Sequence, residues 1–282
     1  MSPIDITKLI DEGCSLAESG DHSAAIELFR EAISLGEAWV GLNLGNSLLA
    51  VGDVDAALEA FAAAWASGYD PAGFNLARQL EAQGDLDEAR GIYRSLIQNG
   101  YAKAMIQEAD FLREEGDYRG FIELIKTAMD DPSPTGDLAA GILGNEQWSG
   151  RGTVEALLRR GAGAYPSARA DLGALLIADE RLDEGISILQ QGANLDETES
   201  ILPLANWHAE KGDFDVARGL YRQGFALGDA HAAFNLGAML WANDRRKSAR
   251  KWIRRAADAG DLRAKAWIDG EVERKKKDPG NQ

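Results

Sequence analysis

The feature that most constrains this chain is a Gly-Asp pair that recurs with a period of 32 residues. Its glycines are Gly20, Gly52, Gly84, Gly116 and, three periods later, Gly212. The same period predicts two further turns, and degenerate versions stand at Glu180-Arg181 and at Asp244. A fixed period of this length indicates a repeat architecture, in which neighbouring units complete one another's core.

Two kinds of side chain recur with the turn. Five residues after the turn glycine or its substitute comes a small residue, at Ala25, Ala57, Ala89, Gly185, Ala217 and Ala249. Nine residues after it comes a large apolar one, at Phe29, Phe61, Tyr93, Ile125, Leu189, Tyr221 and Ile253. Apolar residues also recur at helical spacing on both sides of each turn, so every unit is predicted to be two antiparallel helices.

The turn residues themselves favour a break between helices. Glycine suits a left-handed end to the first helix, and the following Asp can accept hydrogen bonds from the free amides that open the second. Asp85 and Glu88 together offer a capping box. The recurrent Asp-x-Asp pattern, as at Asp53 and Asp55, could also be interpreted as metal ligands, but capping explains every instance and we predict no metal site.

The fifth unit is irregular, at about 138–166. Its Leu143-Gly144 and Ala156 match the other units only if Arg151 takes the position of the turn glycine. This alignment predicts a three-residue insertion in the loop 131–137, cancelled by a three-residue deletion near Pro166.

The last unit contains Ala233-Phe-Asn-Leu-Gly237, then Ala249-Arg-Lys-Trp252, Ala256-Ala257 and Gly260, whereas the third reads GDLDEARGIY from Gly84. Over residues 5–260 the pattern resembles the tetratricopeptide repeat and its Sel1-like relatives, and the choice between the two stays open. The resemblance implies an all-α fold, a right-handed α/α solenoid of about eight 32-residue helix-turn-helix repeats. A basic capping helix at 261–277 and a disordered tail at 278–282 are expected to follow.

The resemblance also implies that the first helix of each pair lines a concave binding surface. One equivalent position there holds Asn43, Asn75, Gln107 and Asn235, and a second holds Asn46, Arg78, Asn145 and Asn206. An amide side chain both donates and accepts, so a row of Asn can bond the backbone of an extended peptide. Asn43 and Asn46 are similar to asparagine positions of the tetratricopeptide carboxylate clamp. The lysine partners of that clamp are largely missing from this sequence, and only Arg78 is an obvious substitute for one of them.

Two tryptophans, Trp148 and Trp241, stand four positions after the small residues Gly144 and Gly237 of their predicted first helices. They are predicted to face the same groove as anchors for apolar side chains. Packing between repeats explains them equally well. For the other tryptophans considered, packing is the favoured interpretation, since buried aromatics are commonest in cores. These are Trp65, Trp207, Trp252 and Trp267.

The charge of the chain narrows the class of partner. The net charge of −16 repels nucleic-acid phosphates, so we expect no nucleic-acid partner. Residues 244–282 nevertheless carry 13 Lys/Arg against 7 Asp/Glu. No stretch is apolar enough to cross a bilayer, so we expect no membrane partner. The single cysteine, Cys14, is expected to be a buried small hydrophobe. Because one cysteine cannot form an internal disulfide, we expect a protein of the reducing cytoplasm.

No catalytic pattern emerges from the sequence. The histidines, His22, His208 and His231, lie apart, and no phosphate-binding or dinucleotide-binding glycine motif is present. We therefore expect a protein that binds a peptide or partner protein in its concave groove, with no cofactor and no catalysis. The alternatives are a head-to-tail homo-oligomer joined through the basic C-terminal end and, less favoured, an enzyme or small-ligand sensor at the fifth repeat.

Overall fold

The computed structural model describes residues 5–146 and 151–277, with side chains described to residue 270 except that of Arg151. The chain divides into two compact units, Met1–Asp131 and Pro132–Gln282. Throughout the described residues the regular structure is helical, with 17 α-helices and no strand. The predicted all-α fold of about eight helix pairs and a terminal helix is confirmed.

The first unit contains four helix pairs, in which odd-numbered helices are the first and even-numbered helices the second of each pair. The helices are α1 (Ile6–Glu18), α2 (His22–Ser34), α3 (Gly41–Ala50), α4 (Val54–Ala66), α5 (Asp70–Gln83), α6 (Leu86–Gln98), α7 (Ala102–Glu114) and α8 (Tyr118–Ala128). A short 3-10 helix, Ala38–Val40, leads directly into α3.

The second unit contains four further pairs and a last helix. The helices are α9 (Pro134–Asn145), α10 (Arg151–Gly161), α11 (Pro166–Ala178), α12 (Leu182–Asn194), α13 (Thr198–Lys211), α14 (Phe214–Ala226), α15 (Ala230–Ala242), α16 (Arg246–Asp258) and α17 (Leu262–Lys277). Helix α17 packs its buried Ala264, with Trp267 and Ile268, against the last pair, as expected of a cap. Residues 278–282, expected to form a tail, lie outside the described residues.

Left-handed turns recur every 16 residues, once within and once between pairs. They fall at Gly20, Gly36, Gly52, Gly68, Gly84, Gly100 and Gly116, and resume at Glu180, Asp196, Gly212, Gly228, Asp244 and Gly260. The two degenerate turns predicted at 180 and 244 are thus confirmed. Their residues adopt φ values of 62° and 57°, a region that residues other than glycine rarely visit.

The core consists of the large apolar residues that follow each turn. All seven that were predicted, from Phe29 to Ile253, are buried. Four of them press on a glycine of the facing helix, seven residues before the turn, at Gly13, Gly45, Gly173 and Gly237. A Cβ added to Gly45, for example, would lie 2.3 Å from a ring carbon of Phe61. The recurrent small residue is therefore a requirement of close helix contact.

Capping by the turn aspartates is confirmed at three of the turns. The carboxylates of Asp21, Asp53 and Asp117 accept hydrogen bonds from backbone amides of the second helix. The capping box predicted at Asp85 is wrong, because its side chain bonds none of the amides that open α6.

The alignment of the fifth pair on Arg151 is also wrong. Helix α9 begins at Pro134, 32 residues after the start of α7 and 32 before the start of α11, so no insertion precedes it. Arg151 lies inside α10, not in a turn. The pair differs in its packing instead, because a Cβ on Gly161 would lie 2.2 Å from the Cα of Gly141 and the two backbones meet without a large side chain between them.

Candidate partner-binding groove

The first helices of consecutive pairs contact one another in both units, as α3 does with α5 and α13 does with α15. Residues at equivalent positions of these helices therefore form rows that run across the stack. The candidate amides predicted from the sequence lie in two such rows.

The two rows are joined by hydrogen bonds between neighbouring repeats. Asn75 Nδ2 donates to Asn46 Oδ1 over 3.1 Å, and Asn235 Nδ2 donates to Asn206 Oδ1 over 3.0 Å. Both pairs are separated by 29 residues, which is one period less one helical turn. Asn43 Nδ2 makes the same connection to Cys14 Sγ at 3.4 Å, again over 29 residues.

This pairing leaves part of each donor amide for a ligand. An Asn side chain offers two N–H donors and an oxygen with two lone pairs. Each of these Asn–Asn hydrogen bonds between neighbouring repeats, which we call a rung, uses one of the two donors. Among the described residues, Asn75 and Asn235 make no other side-chain hydrogen bond, and both are half-buried on the surface of the first helices. Each therefore presents an oriented amide, held in place by its neighbour.

In the second unit this row borders an open groove of about 500 Å³ between α13, α14 and α15. Its lining is amphipathic, with three amides, a carboxylate and a phenol beside alanine, methionine and phenylalanine. The residues are Asn206, Ala209, Glu210, Phe214, Tyr221, Asn235, Ala238, Met239, Ala242 and Asn243. Volumes of 300–1,000 Å³ are roughly those of ligand pockets, so the groove can take one or two side chains of a peptide.

Tyr221 closes the floor of this groove. Its ring is buried in the core, and its hydroxyl donates to Asn206 Oδ1 over 2.8 Å, so that this oxygen accepts from both Tyr221 and Asn235. Burial, with the nearby charge of Glu210, raises the pKa of Tyr221 to about 12, which keeps the phenol a neutral donor. Asn206 is thereby held in one orientation.

A family model describes two stretches of the chain. The tetratricopeptide repeat model matches residues 42–104 and 202–264, and these segments include both Asn–Asn rungs. Together with the stacked helix pairs, this match decides the family.

The chain carries tetratricopeptide repeats.

Solved structures share the fold of this repeat protein at low sequence identity. One is c5321, a protective antigen present in uropathogenic Escherichia coli strains and displaying an SLR fold, with a TM-score of 0.64 and 17% identity. The comparison covers 96% of this chain and 65% of that one, so the repeat protein spans less than two thirds of c5321. A second is a tetratricopeptide repeat protein from Parabacteroides merdae ATCC 43184, with a TM-score of 0.51, 13% identity, and coverage of 89% and 98%. None of the curated proteins matches the chain.

Repeats of this family serve in general as scaffolds for protein–protein interaction. Not every predicted position takes part in the amide rows, however. Gln107 and Arg78 are also 29 residues apart, yet neither forms a side-chain hydrogen bond with a described residue. Arg78 is exposed, and the row ends here.

Asn145 belongs to a different contact. Its amide donates to the carboxylate of Asp171 on the next first helix, 26 residues along the chain. Burial raises the pKa of Asp171, against the lowering effect of this hydrogen bond. The link is one helical turn away from the other rungs, in keeping with the different packing of the fifth pair.

Trp241 packs against the cap and is absent from the groove lining. Its ring meets Trp267 edge-on, with 5.0 Å between ring centroids, and the guanidinium carbons of Arg246 and Arg250 lie 4.2 and 5.5 Å from its centroid. Trp241 therefore packs between repeat and cap and does not line the Asn206–Asn235 groove, and its role as an anchor elsewhere on the concave surface stays a prediction. Trp148 lies outside the described residues.

Three of the residues that shape this site do not follow from the repeat pattern. Cys14 was expected in the core but is half-buried in the amide row; its number, 32 less than that of Asn46, carried the signal. Tyr221 was assigned to the core alone, although a buried phenol needs a hydrogen-bond partner. Phe214, 42% exposed at the start of α14, had no signal in the repeat pattern.

The described residues contain no group of three or more His, Cys, Asp or Glu side chains placed to hold a metal ion. No helix within them is both long and apolar enough to cross a membrane.

Proposed function

We propose that the protein is a non-catalytic scaffold that binds an extended segment of a partner protein in the groove beside Asn206 and Asn235. The observation that carries this proposal is the combination, in one open groove, of oriented amides and apolar surface. The amides suit the backbone of a peptide, which every sequence offers, and the apolar lining suits one of its side chains.

The groove favours a particular kind of segment. Phe214 and Met239 present apolar surface, so an aliphatic or aromatic side chain of the ligand gains free energy by leaving water there. Glu210 is the one charged residue in the lining, which favours a basic residue next to this anchor. The lining contains no Lys or Arg, so an internal segment suits the groove better than a free C-terminal carboxylate.

The proposals about the class of partner and the cellular location rest on the sequence alone. The net charge of −16 argues against a nucleic-acid partner, and a single cysteine suits the reducing cytoplasm. We infer a cytoplasmic protein whose partners are proteins, with no membrane-bound role.

A groove-blocking substitution tests the proposal. Ala238 is exposed in the lining, and Ala238→Trp would fill the groove while leaving the buried face of α15 unchanged. The control is Ala259→Trp, at an exposed position after α16 and outside the groove. Proteins captured by the immobilised wild type are quantified by mass spectrometry against both variants. Partners lost with Ala238→Trp and kept with Ala259→Trp support the proposal, and equal capture by all three proteins contradicts it.

A further inference from the structure

Charge is strongly separated along this chain. Residues 1–131 contain 24 Asp/Glu and 9 Lys/Arg, a net charge of −15, whereas residues 244–282 carry a net charge of +6. The positive charge is concentrated on one helix, since α16 has six basic residues and one acidic residue among its 13.

Five of these six form a continuous band, which we call the basic stripe: Arg246, Lys247, Arg250, Lys251 and Arg254. Their spacing of one and four residues places them together on one side of α16. The opposite side carries the buried Ala249, Ile253 and Ala256. Four members of the stripe are exposed, and Arg250 is half-buried.

The stripe has few internal partners. Like charges four residues apart on a helix repel one another and destabilise it, so such a helix needs compensation. Arg246 bonds the exposed Asp244 over 2.9 Å, but Lys247, Lys251 and Arg254 have no ion-pair partner within the described part of the chain. Helix α6 is the contrast, because its Arg90 and Arg94 both bond the buried Glu108.

The aromatic residues beneath the stripe hold two of its cations in place. The guanidinium groups of Arg246 and Arg250 both lie over the Trp241 ring, which is itself fixed by Trp267. A cation held against an aromatic face loses less side-chain freedom when it binds a carboxylate. The stripe is thus built to meet a negatively charged surface.

The first two repeats provide such a surface. Residues 5–67 contain 11 Asp/Glu against only Lys8 and Arg30. Four of the carboxylates, Glu27 and Glu31 on α2 and Asp55 and Glu59 on α4, are exposed and spaced four residues apart on second helices, as the cations are on α16. We call these four the acidic face.

We propose that the basic stripe of one molecule docks on the acidic face of a second copy, head to tail. Such a contact uses two different surfaces, so each end of the pair keeps one unsatisfied surface and can recruit further copies. The proposal does not depend on the groove beside Asn206 and Asn235, and either can fail alone.

Sedimentation velocity of the full chain at low and high salt is the test. We expect association at low salt that weakens as salt is added, because exposed ion pairs are screened. The triple variant Arg246→Glu, Arg250→Glu and Arg254→Glu should weaken association by about tenfold or more. The variant Lys103→Glu, Lys126→Glu and Lys211→Glu makes the same change of net charge at exposed positions elsewhere and should weaken it far less.

A charge exchange completes the experiment. A chain with Glu27→Arg, Glu31→Arg, Asp55→Arg and Glu59→Arg should also associate poorly alone, yet form a mixed complex with the triple variant. Circular dichroism checks that each variant is folded, and Gln at the same three arginines replaces Glu if the triple variant is not. A wild type that stays monomeric at low salt overturns the proposal, as does association that the stripe variants leave unchanged. If the wild type stays monomeric, the basic stripe is instead available to bind an acidic surface of a different protein.

Discussion

The Asn235 side chain donates to Asn206 Oδ1, and this same oxygen accepts the hydroxyl of the buried Tyr221. One amide oxygen thus joins two first helices and the second helix between them. The equivalent rung in the first unit, from Asn75 to Asn46, lacks this third partner, because Phe61 takes the place of the tyrosine.

We expect Asn206→Ala to destabilise the protein by about 1–3 kcal/mol, since it leaves a buried phenol without its partner. The matched change Asn46→Ala removes a rung without orphaning a hydroxyl and should cost about 1 kcal/mol or less. Urea unfolding measures both. Adding Tyr221→Phe to Asn206→Ala should recover part of the loss, and equal costs for the two single variants would contradict this role.

Gly45 should not tolerate a methyl group. Gly45→Ala would place a Cβ 2.3 Å from the Phe61 ring, and overpacking of this kind costs about 1–3 kcal/mol. Gly91 on α6 is the control, because a Cβ there meets nothing within 4 Å, so Gly91→Ala should stabilise by about 0.5–1 kcal/mol. Thermal unfolding of the two variants should shift in opposite directions, and a shift in the same direction would refute the packing argument.

Glu180 occupies a left-handed turn at φ 62°, where glycine avoids the steric penalty of a side chain. Glu180→Gly should therefore raise stability by a few tenths to about 1 kcal/mol, part of the gain being offset by greater freedom of the unfolded chain. Ser187→Gly, inside α12, should lower it by about 0.5 kcal/mol. Calorimetry of the pair checks the sign, and a loss of stability in Glu180→Gly would count against a strained turn.

Asp261 should make stability depend on pH at the acid end. Burial raises its pKa, but the Ala264 amide and His231 stabilise the carboxylate, and the net effect is a pKa below the ordinary value. A depressed carboxyl pKa contributes stability above the unfolded-state pKa, near 3.9, and this is lost as pH falls through the folded-state value.

The comparison of wild type with Asp261→Ala in urea, over a series of pH values, measures this contribution. The difference between the two should be largest near neutral pH and should shrink toward the acid end. Asp261→Asn keeps an oxygen for the Ala264 amide and should fall between them. A difference that is independent of pH would mean that Asp261 acts only as a helix cap.

The period alone was enough to predict the turns and the core. Gly20 and Phe29 obey a rule that repeats in seven of the eight pairs, with Glu180 and Asp244 in place of the turn glycine in two of them, so local patterns and sequence spacing agree. The partner of Asn235 could not be obtained in this way, since the amides were expected to point at a ligand and not at one another. The direction of the Trp241 ring depends on Trp267 in the cap, and the repeat pattern carries no information about that contact.

The fifth pair shows a second limit of sequence reasoning. The predicted alignment matches Leu143-Gly144 to the Leu-Gly of the other repeats, and this match places Arg151 at the position of the turn glycine. The structure keeps the helix starts in step and uses Gly141 for the close contact instead. Two glycines three residues apart lie on nearly the same face of a helix, so the sequence offered two equivalent choices.

The left-handed turns of Glu180, Asp196 and Asp244 bear on how such a chain diverges. Their backbone stays in the left-handed region of the glycine turns, at φ of 57–62° against 81–111°, so the stacked helices impose that region and the residue type tunes its cost. A lineage can then lose its glycines one at a time while the architecture stays whole. Two of these three residues, Glu180 and Asp196, lie in the stretch 105–201 that the family model leaves unmatched, yet they keep the left-handed turn of the matched repeats.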